Sequence, residues 1–141
     1  MTTARTARAT ALIAVPCAAL LAAAAGVDQA STHQLIDHAS AIYAPNGKTA
    51  APAIVYGILY AVAAVSLTVW TTAALAARRR GLGIVALTTA TVVTIASALG
   101  LFTVAEYGSV LYPPVWGLLA LIPLIPGAAA TVQLARRGSA L

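Results

Sequence analysis

Side chains able to do chemistry are few in this chain, and they collect in two stretches. The acids are Asp28, Asp37 and Glu106, and the histidines are His33 and His38. All five tyrosines and Trp116 fall in or beside residues 27–60 and 105–116. General acid–base catalysis needs one titratable group poised against another, and Glu106, Asp37 and the histidines are what is on offer. A metal ion would need three or four convergent ligands. Two histidines five apart, scattered carboxyls and a single cysteine, Cys17, do not supply that spacing. No Ser-His-Asp pattern, glycine-rich phosphate loop or cysteine pair occurs, so neither a metal nor another cofactor is expected. Tyr56 and Tyr60 are four apart, on one face of a helix, and His33 and Asp37 share that spacing. The arrangement expected from these residues is a shallow apolar pocket lined by Tyr56, Tyr60, Glu106 and Tyr112. Asp37 or His38 would stand near the headgroup of a bound lipid or isoprenoid. The competing expectation is an interfacial belt, which Tyr and Trp populate in membrane proteins.

The elements that must hold these residues follow from composition. The chain has 141 residues, 61% hydrophobic and 8% charged, with a mean hydropathy of +0.92. Soluble domains carry about 25% charge, so this chain has too few polar groups to coat a water-facing surface. Four apolar runs, 9–26, 52–77, 82–104 and 113–135, contain no charged residue. Each approximates the roughly 20 residues that cross a hydrocarbon core as a helix, and no period-2 alternation suggests a barrel. The expected architecture is an all-α, single-domain four-helix bundle in the membrane, running up-down-up-down. The first run also has the basic start and small-residue end of a signal peptide; retention as a helix is expected from its length.

Charge sets the orientation. The net charge is +5, but the arginines flank the apolar runs instead of forming a stripe interleaved with aromatics, so no nucleic-acid partner is expected. Arg5, Arg8, Arg78, Arg79, Arg80, Arg136 and Arg137 fall on one side of an even number of crossings, and the three acids fall on the other with Lys48. The bias of basic residues toward the cytoplasm places both termini there, in the plasma membrane. The one long connection, 27–51, is then extracytoplasmic. Within it a short amphipathic helix is expected from about Ser31 to Ile42, capped by Ser31 or Thr32, with Leu35, Ile36, Ala39 and Ile42 on one face.

Within the spans, Ala14, Ala18, Ala22 and Gly26 are spaced by four, as are Ala53, Gly57 and Ala61. Small residues in that register let helices approach closely, either within the bundle or in self-association. The third run carries Thr88, Thr89, Thr91, Thr94 and Ser97, readable as packing hydroxyls or as a polar lining. In the fourth, Pro123 and Pro126 each remove a donor and should kink or unwind the helix.

The segment 42–45 (Ile-Tyr-Ala-Pro), the tyrosine-bearing start of the second run, and 111–117 (Leu-Tyr-Pro-Pro-Val-Trp-Gly) before a proline-kinked last helix resemble small uncharacterised four-span proteins of actinobacteria, loosely similar to DoxX-like proteins. The resemblance implies fold and membrane location, and no catalytic residue. The function expected is a non-enzymatic accessory or lipid-binding module acting through the outer face. Its partners would be membrane lipids and a membrane protein or further copies of the chain. One alternative is a small oligomeric transporter or channel using the kinked fourth helix; another is an outer-face enzyme modifying a lipid or isoprenoid.

Overall fold

The computed structural model describes residues 2–136; Arg137, one of the two tail arginines, lies outside them. Six α-helices account for most of the described residues: α1 (Thr2–Val27), α2 (Gln34–Tyr43), α3 (Pro52–Ala76), α4 (Arg80–Thr103), α5 (Pro114–Leu121) and α6 (Leu124–Ala135). Among the described residues four helical segments are long and apolar enough to cross a membrane: Arg5–Thr32, Pro52–Ala76, Arg80–Thr103 and Pro114–Ala135.

The last apolar run is two helices, not one. Pro123 and Pro126 cannot donate, so the carbonyls four residues earlier, of Leu119 and Ile122, lose their usual partners. Both are met by three-residue bonds instead, from the Ile122 amide to Leu119 O (3.3 Å) and from the Ile125 amide to Ile122 O (3.2 Å). The tighter turn at 122–123 separates α5 from α6.

Two further features depart from the expected all-helical layout. Residues 105–112 contain a two-stranded ribbon, β1 (Ala105–Glu106) antiparallel to β2 (Ser109–Val110). Its turn residues Tyr107 and Gly108 both have positive φ, 52° and 81°, the backbone that a two-residue hairpin of matching twist demands. At the other connection, α1 ends in a π-helical turn, Asp28–Thr32, and His33 then takes φ 57° before α2 begins. α2 therefore starts at Gln34, later than expected, and neither Ser31 nor Thr32 caps it. Ser31 Oγ instead donates to Val27 O (2.6 Å), and Thr32 donates to Asp28.

α1 packs on α3 and α6, α3 on α4, and α4 on α5 and α6, closing a four-membered ring. Two apolar clusters fill it. One joins Leu21 and Ala25 of α1, Val55, Tyr56, Leu59 and Ala63 of α3, Ala98 and Leu101 of α4, and Trp116 and Ala120 of α5, with Leu35 and Ala39 of α2 over them. The other joins Ala7, Ala11, Ala14 and Ala18 with Trp70, Ala73, Leu87, Ala90, Ala130 and Leu134. The buried seam of α1 is thus 7, 11, 14, 18, 21, 25, alternating steps of four and three as in coiled coils. Ala22 and Gly26, expected on that seam, are only partly buried. Ala53, Gly57 and Ala61 face outward, so this stripe does not pack the bundle.

Small residues set the helix spacing at two points. A Cβ on Gly127 would lie 2.1 Å from the Trp70 ring, and one on Gly117 would lie 2.5 Å from the Phe102 ring. Trp70 is fully buried, and its indole Nε1 donates to Thr94 Oγ1 at 3.0 Å. Of the third run's other threonines, Thr91 bonds back to Leu87 O, while Thr88 and Thr89 are exposed. Outside the ring, Ile125, Ile54 and Val85 are 75%, 65% and 64% exposed, a surface suited to hydrocarbon and not to water.

Candidate functional site

The polar residues at the α2 end of the bundle are organised by Asp28, which is 6% exposed. One carboxyl oxygen accepts from the Gln34 amide at 3.0 Å and from the Thr32 hydroxyl. The other accepts from the Leu35 amide at 3.0 Å and from the Tyr56 hydroxyl at 2.7 Å. Asp28 therefore does the work of a cap for α2 from six residues away, because the π-helical turn folds the chain back over it. Tyr60, 37% exposed, donates to Gln29 Oε1 at 2.8 Å. Two tyrosines on one face of α3 thus tie the end of α1 and the start of α2 to the bundle.

The remaining candidates divide between core and surface. Tyr112 is buried and donates to Val55 O at 2.9 Å, holding the ribbon's exit against α3. Burial, reinforced by the nearby Tyr43 and Glu106, pushes its hydroxyl up to about 12. Glu106 is exposed and accepts a hydrogen bond from Tyr43, which with partial burial pushes the Tyr43 hydroxyl to about 12. Both phenols therefore remain donors across the physiological range. Tyr43 also meets Tyr107 edge-on, ring centres 5.5 Å apart. Asp37 is exposed. His38 is exposed too, with Nε2 3.1 Å from Val110 O; a carbonyl only accepts, so that nitrogen donates.

The hydroxyls of Tyr56, Tyr60 and Tyr112 go to Asp28, Gln29 and the Val55 carbonyl, and Glu106 accepts from Tyr43, so these four residues share no common partner. A recess of about 470 Å³ brings His38 and Tyr112 together with Phe102, Val110 and Pro113. Tyr56 and Tyr60 join Asp28 and Gln29 instead. The more ligand-like feature lies on the other flank of Asp28, a groove of about 460 Å³ between α1 and α5. Its walls are Leu20, Ala23, Ala24 and Val27 on one side and Val115, Trp116 and Leu119 on the other, with Asp28, Thr32 and Gln34 at one end. A further groove of about 390 Å³, between α4 and α6, contains Thr91, Leu124 and Thr131 but no titratable group. Among the described residues no group of three potential metal ligands converges.

Sequence reasoning did not single out the Asp28 flank. The available signal was an acid at the end of an apolar run, followed by threonine four residues on and glutamine six residues on. No family model matches the chain, and neither a curated protein nor a solved structure was found to match it.

Proposed function

We propose that this protein is a multi-pass plasma-membrane protein with cytoplasmic termini, and that it binds a lipid or isoprenoid chain through its extracytoplasmic end without catalysing a reaction. The clusters support alternating crossings: the late halves of α1 and α4 share one cluster with the early half of α3 and with α5, the first part of the last crossing. The division of arginines from acids supports the orientation.

The observation that carries the lipid reading is the α1–α5 groove. It is apolar along its length, opens sideways between two spans, and ends on hydrogen-bonding groups at the level where the first span gives way to the outer connection. An acyl or prenyl chain fits those walls, and Thr32 and Gln34 offer a headgroup polar contacts. The outer end carries Asp28, Asp37 and Glu106 against Lys48, a balance that favours zwitterionic or amine-bearing headgroups over anionic ones. Glu106 and His38 are each engaged elsewhere, with Tyr43 and with a backbone carbonyl. That arrangement suits binding better than paired acid–base catalysis.

Native mass spectrometry of protein released from its membrane in mild detergent tests the proposal. We expect retained lipid, and we expect Ala23→Trp, which fills the groove from its exposed edge, to reduce retention by about tenfold, equivalent to ~1.4 kcal/mol. Ala96→Trp, which adds the same bulk on an outward face of α4, should leave it unchanged. Equal retention by both variants would remove the groove from the account.

A further inference from the structure

A cavity of about 10 Å³ lies where all four crossings meet. Its apolar wall comes from α1, α5 and Val62 of α3, with Ala18 and Leu21 on the α1 side, and three hydroxyl residues share the lining: Ser66 of α3 and Thr94 and Ser97 of α4. It sits between the two apolar clusters, with Leu21, Ala63 and Ala98 on one side and Ala18, Trp70 and Ala90 on the other.

Ser66 is 7% exposed, and its Oγ has no hydrogen-bond partner among the described residues. That is unusual within this bundle, because Thr68, Thr72, Thr91 and Thr131 all donate to the carbonyl four residues back. A buried hydroxyl without a partner is destabilising, and Ser66 lines a space matching the volume of about one water probe. Thr94 Oγ1 already accepts the Trp70 indole proton, which leaves the Thr94 hydroxyl proton to donate. A water needs two to four polar partners, and Ser66, Thr94 and Ser97 supply three.

We propose that this cavity is a binding site for a single water molecule that joins Ser66 to Thr94 and Ser97. Ser66 and Trp70 are four apart on α3, so the water completes a ring: Ser66, water, Thr94, Trp70. The ring fastens α3 to α4 at mid-depth, beside the turn that divides α5 from α6. The cavity is too small for a hydrated ion or an organic substrate, so the site is a fastening and not a step in a permeation path. It stands whether or not the α1–α5 groove takes a lipid.

The test uses the full chain in detergent micelles, with methyl-labelled alanine and water-selective nuclear Overhauser spectroscopy. The Ala18 methyl, whose own residue has no exchanging hydroxyl, should show a cross-peak to water, and Ser66→Ala or Ser97→Ala should weaken it. Thermal unfolding supplies the second reading. With water bound, Ser66→Ala removes one of its partners and lowers the midpoint; in a dry cavity the same change deletes an unpaired hydroxyl and raises it. No cross-peak at Ala18 in the unsubstituted protein, or a raised midpoint for Ser66→Ala, would overturn the proposal.

Discussion

Gly127 and Trp70 show how much of this bundle depends on single atoms. Association of helices in hydrocarbon gains little from the hydrophobic effect and relies on packing and hydrogen bonds between helices. The ring of Trp70 lies where a Gly127 side chain would be, with 2.1 Å to a hypothetical Cβ, and no rotamer of a methyl group relieves that overlap. We expect Gly127→Ala to destabilise the folded protein by about 1–3 kcal/mol, the usual cost of overpacking. Trp70→Phe in the same chain should recover part of the loss by shrinking the ring, although it gives up the bond to Thr94. Unfolding midpoints of the two single variants and the double variant in one detergent measure this. A double variant worse than the sum of its parts would mean that α3 and α6 do not meet through these residues.

At the scale of the element, Asp28 governs α2. Its oxygens hold the Gln34 and Leu35 amides and the Tyr56 and Thr32 hydroxyls, and Asp28→Ala leaves all four donors without it, at roughly 1–3 kcal/mol for each that remains dry. Hydrogen exchange should therefore speed up across residues 34–43 by an order of magnitude or more, with α4 unaffected. Unchanged exchange in α2 would show that burial of Leu35 and Ala39 holds it without the carboxyl group. The long helices were legible because about 20 uncharged apolar residues in a row have one economical structure in lipid. The interruption of the last run was legible for the same chemical reason, two missing donors within one turn. What could not be read was the inward face. In a helix that meets hydrocarbon outside and apolar side chains inside, hydrophobic periodicity carries little signal, so the Ala53, Gly57 and Ala61 stripe gave no hint that it points outward. The role of Asp28 was hidden for a different reason: a π-helical turn carries it six and seven residues along the chain, outside any local capping pattern. Tyr56 and Tyr112 looked like ligand groups, but their hydroxyls reach Asp28 and the Val55 carbonyl.

At the scale of the whole molecule, the two ends of the bundle differ in kind. One end has Arg78, Arg79 and Arg80 at a tight turn, together with Thr10 donating to Gln133 between α1 and α6. The other carries all three acids, α2, the ribbon, and the openings beside Asp28 and His38. The proposed extracytoplasmic lipid site therefore rests on one premise, that the α2 end faces away from the cytoplasm. Cysteine accessibility in intact cells tests it directly. In a Cys17→Ala background, a cysteine at Asn46 should react with a membrane-impermeant thiol reagent, and a cysteine at Gly81 should react only after the cells are opened. Labelling at Gly81 in intact cells, with Asn46 protected until lysis, would contradict the orientation and the extracytoplasmic site with it.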